Sequence, residues 1–135
     1  MDAIKFYPIG YISSPYTARG QAPKQGIYDA ETRGVMHINE KYINGVADMK
    51  EGLQYVVVFY FHKSPGYELT VRSHRTGLLT GVFSTRSPNR PNGIGLSVVK
   101  VEKINGAEIE FTGVDMLDGT PVLDIKPYIS GESAK

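Results

Sequence analysis

Apolar and polar residues alternate with a period of two through most of this chain, and turn-forming residues separate the alternating runs. That pattern predicts strands at Ile4–Ile12, Val35–Ile38, Gln54–His62, Glu68–His74, Thr80–Ser84, Leu96–Ile104, Glu108–Val114 and Pro121–Tyr128. The sixth and seventh are joined at Asn105-Gly106, the preferred pair for a type I′ turn. Around that turn Val99 and Val101 alternate with Lys100 and Glu102, and Ile109 and Phe111 with Glu108 and Glu110, so one face of the hairpin is wet. The run Gln54–His62 is apolar on both faces and belongs in the middle of the sheet. Only Asn44–Gly52 reads as a helix, with Val46, Met49 and Leu53 at spacings of three and four. Short strands without helical partners close most economically on themselves, which removes exposed edges. The expected fold is all-β: one closed or nearly closed, mainly antiparallel barrel with one short helix, spanning residues 1–135.

Composition narrows the chemistry. The chain has no cysteine, which excludes disulfides, thiolate nucleophiles and cysteine-ligated metal centres. The opening Met1-Asp-Ala-Ile-Lys5 lacks the basic and apolar regions of a signal peptide, and the apolar run Tyr55–Phe61 is too short to cross a bilayer as a helix. A cytoplasmic protein with no membrane partner is expected. The net charge is only +1, but it is unevenly spread. From His62 to Arg90 five basic residues (Lys63, Arg72, Arg75, Arg86, Arg90) face one acid, Glu68. From Val101 to Lys135 seven acids face three bases. The basic third could draw phosphates toward it. Alternatively, the two stretches are adjacent strands that neutralise each other, the favoured reading for Lys63 and Arg72.

Several common sites are absent from the sequence. His37, His62 and His74 share no metal-ligand spacing, so no metal is expected and each is read as structural or exposed. There is no Gly-x-Ser-x-Gly elbow. Gly93-Ile-Gly95 lacks a third glycine, Val98 standing in its place, and no lysine follows a glycine-rich loop as in a phosphate-binding loop.

The densest polar segment is Ser84-Thr-Arg-Ser-Pro-Asn-Arg-Pro-Asn-Gly-Ile-Gly-Leu-Ser97. Its prolines and glycines fix the backbone, while Arg86, Arg90, Asn89 and Asn92 offer directional donors suited to a polar ligand. An ordinary long hairpin loop has a similar composition. In Val114–Tyr128, Asp118-Gly119 reads on pattern alone as a plain hairpin turn, though Asp115, Asp118 and Asp124 crowd three carboxylates beside Lys126. The loop Ala22–Ile27 and the pair His62-Lys63 at the end of the apolar strand carry no signal by themselves.

Taken together, these segments resemble one family, the TrmO (YaeB-like, TsaA-like) tRNA adenosine N6-methyltransferases. The resemblance rests on Ile9-Gly-x-Ile-x-Ser-Pro-Tyr16, Phe61-His62, Gly81–Ser97 and Gly113–Tyr128, in order over nearly the whole chain. It implies a β-barrel that binds S-adenosylmethionine, acts as a homodimer and methylates N6 of a threonylcarbamoyl-modified adenosine beside the anticodon of tRNA. Carried over position by position, it implies donor contacts from Gln25, Gly26 and Ile27, from His62 and Lys63, from Arg86 and Leu96, and from Leu117, Asp118, Gly119 and Thr120. Arg86 could instead hold substrate phosphate. Compared with the family pattern, Gly93 replaces a usual proline, implying a looser loop and weaker donor binding. The stretch Val71–Thr80 is shorter, and the chain is expected to be a short form without the further C-terminal domain of many bacterial members.

An exocyclic amine is a poor nucleophile, so the implied reaction needs an acceptor near N6 to take hydrogen bonds and finally a proton. Asn92, Asp115 and Asp118 are the candidate catalytic residues. An unpaired anticodon-loop base can stack on an aromatic such as Tyr128 or Tyr67, with Arg90 and Asn92 as further substrate contacts. Two alternatives stand beside this reading. One is a barrel that binds S-adenosylmethionine or a nucleotide without methylating; the other is methylation of a different RNA or a small molecule.

Overall fold

The computed structural model describes residues 1–17 and 31–129. Its strands are β1 (Gly10–Ser13), β2 (Arg33–Ile38), β3 (Gln54–Tyr60), β4 (Thr70–Arg72), β5 (Leu79–Gly81), β6 (Ile94–Asn105), β7 (Glu108–Thr112) and β8 (Pro121–Pro127). Six of them form a closed antiparallel barrel in the order β1-β2-β7-β6-β3-β8. The expected all-β barrel is therefore present, but it is built from six strands rather than eight. β4 and β5 pair only with each other and form a separate hairpin.

The period-two pattern produces the core directly. Tyr55, Val57 and Phe59 of β3 and Val99 and Val101 of β6 point inward with Met36, Ile109, Phe111 and Val122. β3 lies between β6 and β8, as its two-sided apolarity predicts, and Val56 and Val58 on its outer side are half-buried. Two inward aromatics sit over glycines on the neighbouring strand. Phe59 faces Gly95 and Phe111 faces Gly34 in the cross-strand register. A Cβ at Gly95 would lie 2.5 Å from Phe59 Cζ, and one at Gly34 2.8 Å from Phe111 Cζ. The missing side chains thus make room for rings that fill the barrel.

Four local expectations are corrected. The helix runs over Glu40–Val46, is of 3₁₀ type, and starts from Asn39, whose side chain accepts from the Lys41 amide at 3.2 Å. It cannot continue to Gly52, because Asp48 and Gly52 take positive φ of 70° and 89°. The Lys50 amide instead donates to the Tyr55 hydroxyl at 2.9 Å, tying this turn to the core. The β6–β7 turn is centred on Gly106-Ala107, since Asn105 already pairs with Glu108 and Gly106 holds φ at 61°. The first strand begins at Gly10 rather than Ile4; Ile4, Phe6 and Tyr7 have no strand neighbour and are exposed. Finally, Asp118-Gly119 is not a hairpin turn, because β7 and β8 do not pair.

On the outer wall, His37 fastens three strands. Its Nε2 lies 2.7 Å from Ser13 Oγ on β1, Tyr11 stacks on its ring, and Glu108 of β7 approaches Nδ1 at 3.8 Å. The structural role expected for this histidine is what the geometry provides.

The glycine–aromatic pairs give a direct stability test. Gly95→Ala is expected to lose about 1–3 kcal/mol in urea unfolding, the usual cost of overpacking a filled core. Gly45→Ala, where nothing lies within 4 Å of an added Cβ, is expected to be neutral or slightly stabilising. Equal stability of the two variants would refute the packing argument.

Candidate functional site

One rim of the barrel gathers three segments that are far apart in sequence. β1 runs out through Ser14–Thr17, β3 exits through Phe61-His62-Lys63, and the link from β7 enters β8 through Leu117–Thr120. The closing strand and this last link share a ladder of backbone bonds: Gly119 N–H to Ile12 O at 2.7 Å, Ile12 N–H to Thr120 O at 2.9 Å and Asp118 N–H to Tyr16 O at 2.7 Å. The Ser14 amide then donates to Asp118 Oδ1 at 3.0 Å. Lys63 reaches across from β3 to donate to the Thr17 carbonyl at 2.9 Å. Gly119 has φ 84°, and a Cβ there would stand 3.6 Å from His62 Nε2, so the turn packs directly against that ring.

The roles within this rim differ. Asp118 and Gly119 are exposed. Thr120 is buried, its hydroxyl donating to Leu117 O at 2.6 Å, so it shapes the turn from beneath. Burial, and then the neighbouring Lys63 charge, hold the His62 pKa below its usual 6.5, against the opposing backbone hydrogen bond and charge of Asp118. His62 therefore sits as a neutral ring beside a carboxylate and an ammonium.

The loop 84–97 is fastened by its own side chains. Thr85 and Ser87 hydroxyls accept from the Ser87 and Asn89 amides, both at 3.2 Å. Arg90 Nη1 donates to the carbonyls of Thr85 at 2.8 Å and Ser87 at 3.1 Å, and Arg86 Nη1 to Leu96 O at 3.1 Å. Asn92 and Gly93 both take positive φ, 70° and 59°. The Gly93 amide donates to Arg90 O at 3.1 Å, a bond and a backbone angle that proline cannot provide.

Of the residues singled out from the sequence, His62, Lys63, Leu117, Asp118, Gly119 and Thr120 come together at the rim. Gln25, Gly26 and Ile27 lie outside the described residues. Leu96 lies on the outer wall of β6 and Arg86 in the loop before it, and both line a concavity of about 1040 Å³ that Tyr128 also borders. Arg90 braces the loop. Asn92 is exposed and lines a smaller cleft beside Tyr60, while Asp118 sits in the rim turn, so these two of the three candidate acceptors occupy different places. Asp115 is half-buried between the core residues Val114 and Met116. Ser14, Tyr16 and Thr17 were not foreseen, since their bonds to Asp118 and Lys63 run through backbone amide and carbonyl groups, and the Ser14 hydroxyl accepts from the Tyr16 amide at 3.0 Å. The only trace in the sequence is Ser14-Pro-Tyr16, which breaks the strand where the rim begins.

Charge neutralisation between the basic and acidic stretches is not what the ion pairs show. Among the described residues the pairs are Arg33–Glu110, His37–Glu108, Lys100–Glu102 and Lys126–Asp124. Lys63, Arg72, Arg86 and Arg90 donate to backbone carbonyls instead, which orient a cation without cancelling its charge. The described residues contain no cluster of three or more potential metal ligands and no helix long and apolar enough to cross a membrane.

Comparison with known proteins converges on one family. The chain is 43% identical over 130 residues to a mouse protein named tRNA (adenine(37)-N6)-methyltransferase, covering 91% of this chain and 30% of that one. It is 36% identical over 126 residues to a probable S-adenosyl-L-methionine-binding protein of Pyrococcus abyssi, covering 93% and 68%. A crystal structure of TrmO from Pseudomonas aeruginosa superposes with a TM-score of 0.81 at 32% identity, covering 99% of this chain and 60% of that one. The chain thus spans less than a third of the mouse relative and somewhat over half of the bacterial one. The sequence profile described as the tRNA-methyltransferase O N-terminal domain matches residues 11–132, nearly the full length, and the chain belongs to that family.

Proposed function

We propose that this protein is an S-adenosylmethionine-dependent methyltransferase acting on N6 of a threonylcarbamoyl-modified adenosine beside the anticodon of tRNA. The observation that carries the reading is the rim itself: two of the segments that the family resemblance assigns to one donor, His62-Lys63 and Leu117–Thr120, are tied by hydrogen bonds to the same stretch of chain leaving β1. Its chemistry fits that donor. An exposed carboxylate at Asp118 suits the ribose hydroxyls, and the glycine turn lets a ligand approach the backbone closely. A neutral His62 avoids adding a positive charge beside a sulfonium. Bound there, S-adenosylmethionine supplies an electrophilic methyl group, so the protein's task is largely to position the amine. Asp118 is the acceptor nearest to this proposed donor site, and Asn92 the one nearest to the loop. The four cations held by backbone carbonyls support an RNA substrate, because their charge remains available to phosphates.

Calorimetry and transfer assays test the two halves separately. Asp118→Ala is expected to weaken S-adenosylmethionine binding roughly 10- to 100-fold, the range for losing a charged hydrogen-bond partner. Absence of binding to the unaltered protein at millimolar donor would sink the cofactor assignment. Labelled methyl should enter tRNA carrying the threonylcarbamoyl group and not tRNA lacking it. Tight donor binding with no label in either RNA would favour a binding module.

A homodimer is proposed on the outer wall of β6, where Ile94, Leu96 and Val98 are exposed in a row. Sedimentation velocity should show a dimer that Val98→Glu converts to monomer; a monomeric unaltered protein refutes this.

His62 sets a pH dependence. Its folded pKa lies below the unfolded value of 6.5, so the unfolded chain binds more protons once the pH falls below 6.5. Stability is unaffected above that point, declines as pH falls through the lowered folded value, and levels off below it. Urea unfolding between about pH 8 and about pH 5 should show a smaller acid loss for His62→Gln than for the unaltered protein. Parallel curves would remove His62 as the cause.

A further inference from the structure

Immediately after β3 the chain forms a second concavity, separate from the rim turn that carries Asp118. It measures about 430 Å³ and lies between the segment Phe61–Tyr67 and the proline-rich loop. Two backbone bonds strap these segments together: Phe61 N–H to Gly93 O at 2.8 Å and Glu68 N–H to Asn89 O at 3.3 Å. The Tyr60 ring lies along the loop backbone, so close that a Cβ on Gly93 would be 3.2 Å from its Cε1. Tyr67 stands across from the loop with 61% of its surface exposed, leaving its ring open to a ligand in the cleft.

The lining selects a ligand class. Among the described residues, Arg90 is the only charged one bordering the cleft, and no carboxylate does so. Its guanidinium is already oriented by the carbonyls of Thr85 and Ser87. Asn92 is exposed with a fixed left-handed backbone, and Ser64 offers a hydroxyl. Flat π surfaces, a few polar groups that can read an edge, and a single positive charge match a nucleobase with its phosphate. The volume suits one nucleoside and excludes a duplex. From the same cleft the β4–β5 hairpin continues outward. At its tip the Ser73 hydroxyl accepts from the amides of Arg75 (3.2 Å) and Thr76 (3.4 Å), and Arg72 is pinned to Gly77 O at 2.6 Å. That tip adds ordered positive charge along the path of a strand leaving the cleft.

We propose that this cleft is a nucleobase site that takes one unpaired base of the RNA substrate, stacked on Tyr67 and read along its edge by Asn92 and Ser64. The proposal rests on the RNA-methylating reading above and adds to it where the RNA is held. It is tested with an anticodon stem–loop RNA carrying 2-aminopurine in its loop, whose fluorescence is quenched on stacking. The unaltered protein should bind and quench. Tyr67→Ala should bind about tenfold more weakly, of the order of one lost base–aromatic stack, and Tyr67→Phe should retain affinity. Calorimetry with S-adenosylmethionine should give the same affinity for all three.

Unchanged RNA binding by Tyr67→Ala overturns the cleft while leaving methylation standing. Weakened donor binding by Tyr67→Ala also overturns it, by assigning the cleft to the donor's own adenine. If the unaltered protein binds S-adenosylmethionine but not the stem–loop, the cleft and the RNA substrate fall together.

Discussion

The structure turns on the seam where β1 meets the chain entering β8. β1 has only four residues, and its ladder with β8 consists of two pairs, Gly10 with Val122 and Tyr11 with Pro121. So short a contact would be a weak closure by itself. It is extended by Ile9 N–H to Val122 O at one end, and by the bonds that join Ile12 to Gly119 and Thr120 at the other. The same series runs on to place Asp118 against Tyr16 and Ser14. Closing the barrel and building the rim are therefore one event. A change that opens the seam also removes the geometry of the candidate site.

Electrostatics at the two ends of that arrangement are complementary in kind. At the rim, burial and Lys63 keep His62 neutral. Along the loop and hairpin, arginines keep their full charge and have their direction fixed by carbonyl oxygens. A carbonyl is well suited to that task, because a carboxylate in its place would cancel the field that attracts phosphate. His62 thus adds no second positive charge beside Lys63 at the rim, while the neighbouring loop and hairpin attract an anionic ligand.

Much of this was legible in the chain. Alternation located the barrel strands, and the unbroken apolarity of Gln54–His62 correctly placed β3 between two neighbours. What failed was local geometry decided by tertiary contacts. Apolar spacing at Val46, Met49 and Leu53 suggested a helix, but Val46 and Met49 pack against the core from a 3₁₀ turn and the segment after it, while Leu53 is exposed. Asp118-Gly119 looked like a hairpin because turn residues are the same whether the flanking strands pair or diverge. Alternation in Glu68–His74 and Thr80–Ser84 identified two strands yet could not say that they pair with each other outside the barrel. The rim partners Ser14, Tyr16 and Thr17 were invisible because backbone groups leave no signature in residue type.

The proline-rich loop shows why such a segment has the composition it does. Ordering a loop around a ligand costs about 1–2 kcal/mol per residue in backbone entropy, and a fourteen-residue loop ordered only on binding would consume most of the interaction energy. Here the order is built in. Threonine and serine hydroxyls turn the backbone, Arg90 bridges two carbonyls, and Asn92 and Gly93 take the left-handed angles that let β6 begin beside β3. Arg90 consequently has two duties that cannot be separated by deleting it, since its removal loosens the loop as well as discharging the cleft. Tyr67 carries no such double duty, because among the described residues no hydrogen bond uses its side chain, and that is why it reports on the cleft cleanly.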